Sequence, residues 1–378
     1  MNVRGMPFRC AILGLLAGAP LLAEDAGKPV APADSAKVDE AVAKGAAWLM
    51  TLVKEGFPPF EFGQSEFTGL TYNELVLCAL LHAGVPRNDP AVINLVRSTR
   101  ATPLTRTYGA SLRALAFEKF DAALLRADLL QCAQFLLDNQ GKNGYWGYSK
   151  EIPLPALPSV NLGSVKAAVP GPAGPVRKVV VARRSWGEQS DNCNTQYALV
   201  GLAACMASGI SPPTDTFPLA EKWLTACQND DGGWCYMARA APGKDSEASY
   251  GSMTAACISS LSLCLRARNK DPLKDARVQK GIAWLGKKLT FDTNPGRPGW
   301  QYDWYVAIER AGAFSGTPTF GERDWYAEGS AWLVAHQQGD GSWSVGEKPF
   351  VLRNTCMAVL FLRNVSRSYA DRLKQSGP

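Results

Sequence analysis

The sequence predicts an all-α chain whose six helix pairs close into a ring, six inner helices surrounded by six outer ones. Three observations carry this expectation. One device is written three times, as Phe135…Gln140…Trp146, Trp223…Gln228…Trp234 and Trp332…Gln337…Trp343. Each copy has an aromatic residue, Gln five positions on and Trp six further, with glycines in the turn between (Gly141 and Gly144, Gly232 and Gly233, Gly339 and Gly341). Equal spacing in repeated copies is the mark of a repeat architecture. The second helix of each pair is apolar nearly all round, as in Val76–Leu81, Ala255–Ile258 and Cys356–Phe361, which requires burial on every side. The first helices carry charge on one face (Glu40 and Lys44, Arg126 and Asp128, Glu221 and Lys222), as an outer layer needs.

Taken in order, residues 1–23 read as a signal peptide. Arg4 and Arg9 form a basic start, and the short apolar run from Cys10 to Ala23 ends at Glu24-Asp25. A secreted or periplasmic location follows, with no transmembrane span in the mature chain, since the run is shorter than the roughly 20 residues a span needs. Residues 24–36, rich in Ala and Pro, read as a flexible leader. The ring is expected over 37–366. Its first pair is Val38–Val53 and Tyr72–Ala83, and its second is Pro90–Ser98 and Tyr108–Phe120. The third opens near Asp121, passes the first clear turn, and is interrupted at 149–190 before resuming as Thr195–Ser208. The fourth runs from Pro212 to Met253–Arg266. The fifth has Trp284-Leu285 and the turn Asn294–Trp300, leading to Asp303–Ala311. The sixth is Asp324–His336 with Thr355–Val365, and residues 367–378 read as a polar, frayed tail.

The interruption holds Pro at 153, 155, 158, 170, 172 and 175, too many for helix, and Val179–Val181 reads as one short strand. It also carries six basic residues against two acidic ones, so it is a candidate contact for an anionic surface. The formal net charge of the whole chain is only +6, and with the insertion set aside the mature body is about neutral. A nucleic-acid-binding body would spread basic residues along a face, so nucleic acid is excluded as a partner. Of ten cysteines, nine remain after loss of Cys10. Most lie among apolar helical positions and read as small buried residues, with one or two disulfides open in an oxidising compartment.

The three turns resemble the QW repeat of squalene and hopene cyclases, found in looser form in protein prenyltransferase subunits. The resemblance spans about residues 38–365 and is closest at Trp332…Gln337…Gly341-Ser342-Trp343 with Asn354-Thr355. It implies an (α/α)6 toroid, prenyltransferase/squalene oxidase repeat type, in which the Gln ties one helix end to the next and the Trp stacks on it. It does not carry over the family's chemistry. Hopene-type cyclases protonate an alkene from an Asp-x-Asp-Asp-Thr motif, and the matching stretch here is Asp191-Asn192-Cys193-Asn194-Thr195. Asn cannot ionise, and a thiol with pKa about 8.5 is too weak an acid. The zinc of the prenyltransferases also lacks ligands, since only His82 and His336 are present and no Cys or acid stands near either at ligand spacing. No metal and no cofactor is expected.

What remains is the rim where the inner helices begin. Tyr72, Glu74, Tyr108, Asn194, Tyr197, Asp303, Tyr305 and Asn354 are the candidate ligand-cavity residues there, a set of aromatic and amide groups suited to an apolar or sugar-like ligand. Asp191, Asp303 and Glu309 are the candidate catalytic acids. Asp191 and Asp303 also read as helix N-caps, and Glu309-Arg310 as a structural ion pair. The expected function is binding of an undetermined ligand or protein partner at this rim. The alternatives are an enzyme acting through rim carboxylates on a terpenoid or a glycan, and a structural or assembly protein.

Overall fold

The Asp34 carboxylate accepts the Ala36 N–H and starts α1 (Ser35–Lys54), satisfying one of the donors a helix start leaves open. Helix therefore begins two residues before the expected end of the leader. Aspartate does the same for α3 (Pro90–Ala101) through Asp89, α6 (Asn192–Ala207) through Asp191, α9 (Ala276–Lys288) through Asp275 and α11 (Trp325–Ala335) through Asp324. The other helices are α2 (Tyr72–Ala83), α4 (Thr107–Asp121), α5 (Arg126–Asp138), α7 (Thr216–Ala226), α8 (Gly251–Arg266), α10 (Gln301–Ser315), α12 (Lys348–Leu362) and α13 (Val365–Gln375). This is a computed structural model, and it describes residues 34–55, 72–166, 177–178, 191–237 and 247–375. The expected signal peptide and most of the expected leader, 1–33, lie outside the described residues. The only strands among the described residues are two-residue pairs, Arg177–Lys178 parallel to Ile210–Ser211 and Thr319–Phe320 antiparallel to Arg323–Asp324. The expected strand Val179–Val181 lies outside the described residues.

The even-numbered helices from α2 to α12 are the apolar ones. In α8 every residue from Gly251 to Leu265 is buried. Each of these six packs on the next, α2 on α4 and so on to α12, and α12 packs on α2. That cyclic order of contacts is the one an α/α ring requires. The odd-numbered helices from α1 to α11 lie against them, and α11 also contacts α1, so the outer layer meets across the same seam.

The repeated turns stitch neighbouring outer helices together. Gln140 Nε2 donates to Gly144 O in its own turn and to Thr216 O at the start of α7. Gln228 does the same with Gly232 O and Arg277 O of α9, and Gln337 with Gly341 O and Ala41 O of α1. The last of these ties the final repeat to the first. The tryptophans have a bond of their own. Each indole N–H donates to a carbonyl near the C-terminus of the preceding outer helix: Trp146 to Leu136, Trp234 to Leu224 and Trp343 to Leu333, which answers the unpaired acceptors there. Gly144 and Gly341 are fixed by two demands at once. Their φ values are +94° and +92°, and a Cβ would sit 2.0 Å from Leu219 O or 2.6 Å from Lys44 O on the adjoining outer helix.

Other expectations are corrected. The tail does not fray at 367: α13 continues to Gln375, with Ser366, Tyr369, Ala370 and Leu373 buried, and packs against α6, α8 and α10. The inner helix expected from Thr355 begins at Lys348, because Pro349 stands in its first turn, where a missing N–H costs nothing. Part of the 149–190 interruption is packed against α3 and α5: Arg100 donates to Pro158 O, Gln131 to Pro155 O and Arg87 to Lys166 O, while residues 167–176 and 179–190 lie outside the described residues. The nine cysteines from Cys78 to Cys356 are free thiols.

Candidate functional site

Backbone bonds between successive repeats gather the inner-helix starts at one mouth. Thr107 N–H at the start of α4 donates to Tyr148 O ahead of α6, Asn192 N–H at the start of α6 to Tyr236 O ahead of α8, and Gly251 N–H at the start of α8 to Pro295 O ahead of α10. In the first turn of α10, Asp303 then pairs with Arg353 of α12. The side chains of this mouth form a connected web. Tyr148 and Tyr236 share a hydroxyl–hydroxyl bond of 3.1 Å, and the Tyr108 ring meets Tyr197 edge-on at 4.5 Å. The Arg310 guanidinium lies 4.3 Å over the Tyr197 ring and donates to Gln196, which bonds Ser259. The Arg353 guanidinium lies 5.0 Å over the ring of Trp300.

Each expected acid has a structural task. Asp191 caps α6, its two oxygens taking the N–H and the amide of Asn194 at 2.6 and 2.7 Å. Burial pushes its pKa up to about 6, while these bonds and one from Tyr236 pull the other way. Glu309 does not pair with Arg310. It accepts the Ser366 N–H and hydroxyl at 2.8 and 2.7 Å and so caps α13 from across the core. Burial pushes its pKa up to about 7. Asp303 is not the N-cap of α10, a position held by Trp300 in the left-handed region at φ 53°. It is the ion-pair partner of Arg353. Cys193, at the position where the resemblance asks for an acid, has its thiol pushed up to about 12 by burial.

The expected cavity set divides in two. Tyr108 and Tyr197 meet through their rings, Asn194 bonds Asp191, and Asp303 pairs with Arg353, while Tyr72 is buried at the start of α2. Tyr305 stands apart from these: its ring is fully buried among Phe291, Tyr302, Trp332 and Phe361, and its hydroxyl donates to Phe291 O. Glu74 is consumed by a buried pair with Arg113 at 2.6 Å, between α2 and α4. Asn354 donates to Ser344 at 3.0 Å and accepts from Arg353 at 3.4 Å, so it joins the web through Arg353. The two histidines are structural, His82 against Cys78 O at 2.8 Å and His336 stacked on Trp332 at 3.7 Å. No group of three or more potential metal ligands exists among the described residues.

Four features of the mouth escaped the sequence reading. Arg353 and Arg310 were hidden because helix periodicity does not say which inner arginine faces a neighbour's aromatic ring. Trp300 had a signal, a Gly-Trp pair entering a helix, read only as a turn. The threonines Thr195, Thr254 and Thr355 each accept the N–H of the turn tryptophan through Oγ1 at 3.0–3.1 Å, so the Thr of the Asp191–Thr195 stretch belongs to the scaffold. Finally, of five exposed large hydrophobic residues among the described residues, three (Met237, Trp300 and Val345) lie ahead of α8, α10 and α12, and a fourth, Phe350, in the first turn of α12.

No protein-family model matches the chain, and no curated protein matches it with significance. Among solved structures, the Lin0763 protein from Listeria innocua is similar at 13% identity and TM-score 0.51, covering 90% of this chain and 98% of its own. The type II terpene cyclase MstE from Scytonema aligns at 12% identity and TM-score 0.36, covering 88% of this chain and 99% of its own. The first likeness is one of fold alone, and the second is too distant to bear on the chemistry.

Proposed function

We propose that the protein is a secreted or periplasmic ligand-binding α/α ring whose working surface is the mouth at the inner-helix starts, and that it carries no cyclase chemistry. One observation carries the reading. Exposed apolar side chains (Trp300, Phe350, Val345, Met237) stand in or ahead of the inner helices, and Trp300 lies against Arg353, whose Nε is one of three buried polar atoms with no hydrogen-bond partner among the described residues, with Asn194 Oδ1 and Asp303 Oδ2. Apolar groups left in water and polar groups left unpaired both cost free energy that a ligand would recover. The assignment of Asp191, Asp303 and Glu309 to caps and an ion pair argues against catalysis. No helix among the described residues is long and apolar enough to cross a membrane, and the signal-like N-terminus supports export.

The test uses the full chain labelled with 5-fluorotryptophan, its Trp300 resonance assigned with a Trp300→Phe variant. Oligosaccharides, isoprenoid alcohols and short peptides are then added. At least one class should shift the Trp300 resonance while leaving those of buried Trp146, Trp234 and Trp343 in place. If no class reaches Trp300, or incubation with squalene yields a cyclised product, the reading fails.

A further inference from the structure

Asp303 and Arg353 form half of a fork. A carboxylate and a guanidinium can make two parallel bonds, but here only Asp303 Oδ1 and Arg353 Nη2 meet. Asp303 Oδ2 and Arg353 Nε are both buried and both without a partner among the described residues. One acceptor and one donor on the same ion pair are therefore left open. The Arg353 side chain is 6% exposed and that of Asp303 25%; Asp303 Oδ2 and Arg353 Nε are themselves closed to solvent, so a ligand that reaches them does so by shifting the Asp303 edge.

Beside it stands an aromatic platform. Trp300 is 51% exposed, held in a left-handed backbone conformation that a bulky residue rarely adopts, and backed on the ring by the Arg353 guanidinium. Strain at an exposed residue is a sound reason to look for a function there.

The chemistry of this corner selects a ligand class. An anion would gain Arg353 but meet the carboxylate of Asp303. A cation would meet the reverse. A hydrocarbon would cover Trp300 and leave both polar atoms unpaired. A vicinal diol answers all three groups: one hydroxyl donates to Asp303 Oδ2, its neighbour accepts from Arg353 Nε, and the C–H face of the ring lies on the indole. We infer that the mouth binds a neutral saccharide, with Trp300 as its platform and the Asp303–Arg353 pair as the reader of adjacent hydroxyls. This rests on the mouth being a ligand site at all.

Cellohexaose, chitohexaose and maltohexaose are titrated by calorimetry into the full chain, and their effect is read on the fluorinated Trp300. Polygalacturonate serves as the anionic counterpart, and farnesol and a tetrapeptide mixture as the other classes. The inference expects at least one neutral hexasaccharide to bind, polygalacturonate to bind more weakly, and Trp300→Ala to weaken the neutral sugar about tenfold or more with an unchanged melting temperature. Asp303→Asn and Arg353→Lys should weaken it as well. Should either unfold, the half-exposed Trp300 variant still decides the matter. If farnesol or the peptides shift Trp300 and no neutral sugar does, the saccharide inference is overturned while the mouth remains a binding site. If no probe shifts Trp300, both fall. A neutral sugar that binds Trp300→Ala as well as it binds the parent protein also overturns the inference.

Discussion

Replacing Gln140 by Leu separates what the turn glutamine contributes through hydrogen bonds from what it contributes through volume. The amide of Gln140 is fully buried and donates to Thr216 O at 2.9 Å and Gly144 O at 3.3 Å. Leu keeps most of the volume and removes both donors, so two carbonyls lose a partner where water cannot replace it. At about 1–1.5 kcal/mol for each bond of this kind, the loss is about 2–3 kcal/mol. Gln337 makes the same two bonds, to Ala41 O at 2.8 Å and Gly341 O at 2.9 Å, but from a half-exposed position. Water can then take over, and Gln337→Leu should cost about 1 kcal/mol or less. Urea unfolding of both variants, read at an unchanged m-value, measures the difference. Hydrogen exchange adds a positional check, because the Gln337 bond joins the last repeat to α1, and α1 amides should lose protection before those of the other outer helices. If the two variants lose equal stability, or Gln140→Leu loses under about 0.5 kcal/mol, the account of these glutamines as buried stitches is wrong.

Three further outcomes follow from other parts of the structure. Burial raises the pKa of Glu309 from its ordinary value of 4.5 to about 7 in the folded protein, so its contribution to stability is complete below pH 4.5 and is lost as pH rises through 7. The loss approaches about 3 kcal/mol as an upper bound; melting temperature should fall across that window, and Glu309→Gln should flatten the fall. Gly144→Ala combines a positive φ with a Cβ 2.0 Å from Leu219 O, whereas Gly84 also has a positive φ but nothing within 4 Å. Chemical denaturation should show a loss above about 2 kcal/mol for the first and about 1 kcal/mol for the second. Tyr369→Ala should cost about 3 kcal/mol, since the ring is 1% exposed and its hydroxyl donates to Glu118 at 2.8 Å; a neutral effect in thermal melts would restore the frayed tail.

The ring was legible because its signals are periodic and local. Apolar faces on alternate helices report burial, and a Gln at fixed distance from a Trp reports a repeated turn. The last helix was not legible, because Val365–Gln375 is polar in bulk and buries only a thin stripe at Ser366, Tyr369, Ala370 and Leu373. Its N-terminus is secured by Glu309, 57 positions away, and no local pattern reports such a contact. The mouth was legible in outline, since helix starts can be placed to within a few residues. Which of its residues are spent on structure was not. Glu74 and Tyr305 share the composition of the residues that stay at the mouth, and only packing tells them apart.

The residues of the Asp191–Thr195 stretch are taken up by the scaffold. Thr195 accepts the Trp146 N–H, and Thr254 and Thr355 do the same in repeats with no acid before them; a Thr at this place is thus demanded by the turn in every repeat that has one. Asp191 caps the helix and gives both oxygens to Asn194. With Cys193 and Asn194 neutral, the charged groups that join the web among the described residues are Asp191, Asp303, Arg310 and Arg353. A site that protonates an alkene needs a strong acid facing an apolar chamber, whereas this one offers balanced charge, a half-satisfied ion pair and an exposed indole. Such a surface favours an uncharged ligand that both donates and accepts hydrogen bonds, and the binding reading follows from that balance rather than from the missing acid alone.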